Sequence, residues 1–303
     1  MKGLKKRRIL CAVLACMLAA GAAAEQRFGV FSFENVFEKT GVQQTETAYR
    51  SPNLSVEIEA LREYQSDVYV ADMYLRSAES LRRAFGGEGW DDASEKLDAL
   101  ARKSGAVLAL TGDNGHHLKA GWEVGNGELL RSRGNNVRDL CVLYTDGVME
   151  TYRAPVDHAR LETEWKQGRI WQSFVFGPAL LDEEGHAISD FPASDVSPEN
   201  PRAVIGYYEP GHYCLVQVDG RGTASALEPQ TANRGMTLAE LAQFMESLGC
   251  QRAYNLDGGQ TAAMWFNGEI ISTPYHNGRA MGDAIVLCEP GEVADVLEDF
   301  LVE

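Results

Sequence analysis

Three dipeptides constrain this chain more than any other feature: Asn126-Gly127, Asp146-Gly147 and Asn267-Gly268, each set between flanks rich in β-forming residues. Tight two-residue turns demand positive φ, which Gly adopts freely and Asn and Asp tolerate, so such dipeptides predict antiparallel hairpins. The rest follows the same grammar. Residues 54–61 alternate apolar and polar, residues 68–75 are rich in β-formers, and residues 106–110 form an apolar run that breaks at Thr111-Gly112-Asp113-Asn114-Gly115. Residues 202–208 and 213–218 read as a strand pair joined across Glu209-Pro210-Gly211, and strands are also expected over 252–256, 261–266 and 284–288. Helical spacing appears over 91–103, and again after Thr237, where Glu240 completes a capping box and Gly249 stops the helix. Many strands with few helices predict an α+β fold: a mixed, mainly antiparallel sheet with a few packed helices.

Charge narrows the partners. The chain carries 28 Lys+Arg against 44 Asp+Glu, a net of −16. Such a surface repels nucleic acid and anionic headgroups, so no nucleic acid partner is expected and an anionic substrate requires a local basic pocket. Lys2, Lys5, Lys6, Arg7 and Arg8 precede an apolar run from Ile9 that closes on Ala22-Ala23-Ala24. This order is that of a signal peptide or signal anchor over residues 1–24, and it predicts an extracellular or envelope-associated protein that touches the membrane only through an uncleaved anchor. Past that segment stand Cys141, Cys214, Cys250 and Cys288, each in an apolar stretch. They allow three disulfide pairings or none, and their spacing does not suit a CxxC metal site.

The stretch from Ala253 to Thr261, with Asn255-Leu256-Asp257-Gly258-Gly259 at its centre, runs a short apolar strand into a carboxylate and two glycines. Glycines there let backbone N–H groups approach an anion, while the strand end holds Asp257. A plain Asp-Gly turn is the alternative on local sequence.

The surrounding series decides between them. Thr111-Gly112-Asp113, Phe176-Gly177-Pro178-Ala179-Leu180, Pro201-Arg202-Ala203-Val204-Ile205-Gly206 and Val218-Asp219-Gly220-Arg221 precede the Gly235 to Leu241 helix start. The Asn255 to Thr261 stretch, Asn267-Gly268, Pro274, Arg279 and Asp283 complete it. In this order the motifs resemble the phosphodiester glycosidase family, which includes N-acetylglucosamine-1-phosphodiester α-N-acetylglucosaminidase and bacterial exopolysaccharide biosynthesis proteins. Three departures from the pattern stand out: Thr111 is where the family has Asn, Asn114-Gly115 replace the aromatic pair that follows, and Thr261 replaces a Ser.

The resemblance implies a catalytic domain over residues 100–290, preceded by strands and a helix over 25–99 and followed by a helical tail over 291–303. It implies hydrolysis of a sugar-1-phosphodiester in an envelope or surface glycan. Asp257, Asp219 and Asp113 are then the candidate nucleophile or base. Arg202 and Arg279 are the candidate phosphate ligands, and Asn255, Gly258, Gly259, Thr261 and Asp283 complete the substrate site. No cofactor is expected. Mg²⁺ or Ca²⁺ on the same carboxylates is the alternative, since both prefer oxygen ligands. The adjacent His116-His117 would point to different faces and do not suit a shared metal. Two other functions remain open: a metal-dependent phosphodiesterase that breaks P–O, and a non-catalytic glycan-binding or polymer-assembly protein.

Overall fold

The computed structural model describes residues 28–113, 118, 121–133, 138–192, 194 and 196–290. The expected signal segment, His116-His117 and the expected helical tail lie outside these residues. Among the described residues, no helix is long and apolar enough to cross a membrane.

Two antiparallel sheets pack face to face. The larger has seven strands, in the spatial order Gln43–Gln44, Ala48–Arg50, Leu54–Glu63, Ser66–Leu75, His212–Val218, Arg202–Glu209 and Arg252–Asn255. The second has five, in the order Glu269–Ile270, Met264–Phe266, Ala106–Thr111, Asp283–Cys288 and Leu81–Phe85. A three-stranded sheet, Met149–Tyr152, Leu140–Tyr144 and Ile170–Phe174, extends the sandwich. Strands from both sides of residue 100 build both large sheets: Ser66–Leu75 pairs with His212–Val218, and Leu81–Phe85 with Asp283–Cys288.

Side-chain alternation explains the layering. Along Ser66–Leu75, Tyr69, Ala71 and Met73 enter the core between the sheets, while Val68 and Val70 face the opposite way. Ile205 and Leu215 likewise point inward, and Val204, Val216 and Val218 outward. A strand buried on both faces needs a second cover, and the helix Leu238–Ser247 supplies it through Leu241, Ala242 and Met245. The short helix Leu97–Lys103 does the same for the outer face of the five-stranded sheet, against Ala109, Ala284 and Val286. Period-2 strands with apolar residues on both faces therefore dictate a helix–sheet–sheet–helix stack.

Local chemistry behaves as expected at the marked turns. Asn126 and Gly127 take φ of 51° and 81°, and Asn267 and Gly268 take 47° and 104°. At the Leu238–Ser247 helix, the Thr237 hydroxyl accepts the Glu240 N–H, and Glu240 accepts the Thr237 N–H in return. Two boundaries differ from expectation. The helix expected over 91–103 begins only at Leu97, because the Glu95 backbone is drawn into a two-way bridge with Met281. The strand expected from Thr261 begins at Met264, because Thr261 is held in the preceding turn by Gly258 and Asp257. Among the cysteines, Cys214 and Cys250 meet, with sulfurs 3.7 Å apart and both thiols free.

Candidate active site

The site forms where the ends of the two large sheets converge. Beyond the strand Arg252–Asn255, Leu256 N–H donates to Ala203 of the seven-stranded sheet at 2.8 Å, and Asp257 N–H donates to the Gly112 carbonyl, just past the Ala106–Thr111 strand, at 3.1 Å. Asp257 is thus fixed by both sheets. The glycines that follow fit a close approach. A Cβ on Gly258 would lie 2.5 Å from the Pro201 carbonyl oxygen, and one on Gly259 would lie 2.9 Å from Arg221 Nη2. Both of their N–H groups are engaged by the protein itself. Gly259 donates to Pro201 at 2.9 Å, and Gly258 donates to the Asp257 carboxylate.

Around this turn lies a cleft of about 230 Å³, lined by Arg202, Arg221, Arg279, Asp257, Asn200 and Phe176 among others. Asp257 is 6% exposed. Its Oδ2 accepts the Thr261 hydroxyl at 2.8 Å and lies 3.9 Å from Arg279 Nη2. Burial pushes its carboxyl up to about 6, with the Thr261 hydroxyl and the Arg279 charge opposing the rise. Arg202 opens the strand Arg202–Glu209 and is buried. Its Nε and Nη2 donate to the carbonyls of Met236 and Pro198 at 2.8 and 2.5 Å. The Nε–Nη2 edge of this candidate phosphate ligand is therefore turned to protein. Burial and the nearby Arg221 lower its pKa to about 10, which still leaves it charged at neutral pH. Arg279 stands at the rim with its side chain 55% exposed.

The other acidic candidates stand behind the cleft wall. Asp219 is buried and accepts Thr273 N–H at 2.8 Å and Gln217 Nε2 at 3.3 Å. It anchors the segment that leads to Arg279, and burial pushes its carboxyl up to about 6. Asp113 accepts the N–H groups of Val175 and Phe176 at 2.6 and 2.8 Å, so it holds the backbone of a cleft-lining residue. Burial foremost, and then Glu123, raise its pKa. Asp283 takes Arg83 Nε and Nη2 at 3.0 and 2.8 Å and the Asp113 N–H at 3.1 Å. Asn255 donates Nδ2 to the Gly177 carbonyl at 2.7 Å, while its Oδ1 is buried with no hydrogen-bond partner among the described residues. Thr111 also serves the framework: its hydroxyl donates to the Thr261 carbonyl at 2.7 Å and accepts Ala263 N–H at 3.0 Å.

Sequence reasoning did not single out three groups. Arg221 was visible in the Val218-Asp219-Gly220-Arg221 motif, but the strand-end Asp drew the assignment. Its Nε and Nη2 reach Asn200 Oδ1 at 3.0 and 2.9 Å, which aims its charge along the cleft. Asn200 carried no motif of its own. The third is a buried ion network in which Arg83 Nη2 reaches Glu123 at 2.7 Å and Arg131 Nη2 reaches the other Glu123 oxygen at 2.8 Å. Among the described residues, no three His, Cys, Asp or Glu side chains gather as a metal-ligand set.

A cleft lined by three arginines and a buried carboxylate thus lies at the joined ends of two antiparallel sheets. The phosphodiester glycosidase family model matches residues 103–288, and the chain belongs to that family. It is similar to the SPbeta prophage-derived uncharacterized protein YomE of Bacillus subtilis (strain 168), 25% identical over 66% of this chain and 31% of that protein. A shorter stretch is 36% identical to N-acetylglucosamine-1-phosphodiester alpha-N-acetylglucosaminidase of Bos taurus, over 24% of this chain and 12% of that protein. The chain therefore matches less than a third of the length of either relative. In structure it is similar to the zebrafish N-acetylglucosamine-1-phosphodiester alpha-N-acetylglucosaminidase catalytic domain, auto-inhibited by pro-peptide. The TM-score is 0.61 at 19% identity, covering 88% of this chain and 87% of that one. A hypothetical protein from Synechocystis gives 0.58 at 13% identity, over 82% of this chain and 64% of that one. These two likenesses establish the fold.

Proposed function

We propose that this protein hydrolyses a sugar-1-phosphodiester of an envelope or surface glycan, breaking the bond between the anomeric carbon and the phosphate oxygen. The observation that carries the reading is the charge of the cleft: Arg221 and Arg279 face it and the charge of Arg202 stands in its wall, in a chain whose net charge is −16. Guanidinium groups match phosphate oxygens in geometry and charge.

Asp257, the single lining carboxylate among the described residues, fits this reaction. Glycosidases usually pair an acid with a base or nucleophile because an alkoxide leaves poorly without a proton. A phosphate monoester has a second pKa of about 6 and departs with its electron pair unprotonated. The acid is then dispensable, and the arginines stabilise the charge that develops on the leaving oxygen. Asp257 acts on the sugar side, either by attacking the anomeric carbon or by taking a proton from the attacking water. The bovine relative is named for an N-acetylglucosamine-1-phosphodiester, which makes that the first substrate to test.

Hydrolysis in ¹⁸O-labelled water decides the bond. Label in the sugar supports the proposal. Label in the phosphate supports P–O cleavage by a phosphodiesterase, and glycan binding without turnover supports an assembly role. We place the reaction outside the cytoplasmic membrane because of the basic start and the apolar run closing on Ala24. A reporter fused to the chain that is active only in the cytoplasm would contradict this.

A further inference from the structure

A second cavity of about 540 Å³ adjoins the cleft, and Phe176 and Val196 line both. Resting on the reaction proposed above, we infer that this groove seats the alcohol arm of the phosphodiester, and that this arm carries an apolar face and a further acidic group. Size points the same way. Ligand pockets usually span about 300–1,000 Å³, and the cleft of about 230 Å³ falls below that range on its own. A diester has two arms. Arg221 and Arg279 hold the phosphate, and Asp257, which lines the cleft but not the groove, marks the sugar side. The remaining arm passes over Phe176 and Val196.

The groove wall specifies the arm's chemistry. Pro178 and Phe191 present an apolar surface. Arg138 supplies the groove's net positive charge, since Arg153 is paired with Asp139, and Arg138 Nη1 donates to the Phe176 carbonyl at 3.0 Å, at the junction with the cleft. The groove also contains Asp139, but its carboxylate is engaged by Arg153 Nε at 3.2 Å and by the N–H groups of Ala154 and Ala179 at 2.9 and 3.1 Å. A cation beside an apolar wall selects an alcohol that bears a phosphate or carboxylate on a carbon skeleton, such as the next unit of a phosphate-linked polymer.

The test compares two diesters of one sugar-1-phosphate on the full chain: a methyl ester, and an ester of glycerol carrying a terminal phosphate. The expected KM is at least tenfold lower for the phosphate-bearing ester, with the advantage shrinking as salt rises. Arg138→Gln keeps an amide donor for the Phe176 carbonyl but removes the charge. It should cut the advantage at least threefold, mainly through KM. Equal KM values in the parent, or an equal shift for both esters in the variant, would overturn the inference. If the parent turns over neither ester, the proposed reaction fails, and calorimetric binding of the same two esters then judges the groove. Tighter binding of the phosphate-bearing ester that weakens in Arg138→Gln supports the groove, and equal affinity overturns it.

Discussion

At the residue scale, the proposed reaction rests on how one carboxyl titrates. Burial pushes Asp257 up to about 6, whereas an unfolded Asp titrates near 3.9. The ionised form is needed to attack or to accept a proton, so kcat/KM should fall as pH drops below about 6. A profile flat to pH 4.5 would remove Asp257 from the chemistry. The same shift has a stability consequence. Between about 3.9 and 6 the folded state binds the extra proton, so this group's stabilising contribution is present below about 3.9 and is lost as pH rises through about 6. Asp257→Asn should therefore abolish turnover while its melting temperature at pH 7 equals or exceeds the parent's. Lost activity with a melting point many degrees lower would instead mark Asp257 as structural. Arg221 makes a separate test. A charge-assisted hydrogen bond contributes about 1.5–3 kcal/mol, so Arg221→Gln should lower kcat/KM by about 10- to 100-fold. Its Asn200 contact lies at the surface, so folding should persist. An unchanged kcat/KM would take Arg221 out of the phosphate site.

At the scale of elements, the turn at 257–261 is the junction of two sheets, and its glycines serve that closeness. A Cβ on Gly258 meets backbone at Pro201, not a side chain that can swing away. Gly258→Ala should therefore displace the Asp257 strand end and lower kcat/KM more than tenfold, which steady-state kinetics will check. Activity within twofold of the parent would show that the turn tolerates the shift. Thr111 belongs to the same joint. Where the family pattern has Asn, this hydroxyl ties the Ala106–Thr111 strand to Thr261 and Ala263. Thr111 itself is not among the residues that line the cleft.

At the scale of the whole molecule, the Arg83 network joins elements far apart in sequence. Arg83 on Leu81–Phe85 meets Glu123 of the Gly121–Gly125 strand and Asp283 of Asp283–Cys288, all fully buried or nearly so. Removing one partner of a buried ion pair strands the others, at about 3–5 kcal/mol. Arg83→Met should destabilise by that order in chemical denaturation. A loss under about 1 kcal/mol would mean that water or protonation of the acids compensates.

The features legible in the sequence are those whose cause lies within a few residues. Asn126-Gly127 and Asn267-Gly268 turn because their own backbones accept positive φ, and Thr237 caps because Glu240 is one helical turn away. Where the cause is remote, local reading falls short. Tyr64 and Gln65 turn the long Leu54–Glu63 and Ser66–Leu75 hairpin at φ of 46° and 57°, against their own preference, because ten paired residues on each side impose it. Asp257 and Asp219 look alike as strand-end carboxylates, and both are pushed to about 6. Only tertiary packing turns one into the cleft and gives the other to the Thr273 backbone. The same holds for Arg202, spent on two carbonyls, and for Arg83, one strand arginine among many in the sequence. Local residue chemistry determined the hairpins, the capped helix and the acid-glycine turn of this protein. Which charges face the cleft was decided by tertiary contacts, because the field at a buried charge comes from whatever the fold brings within a few ångströms.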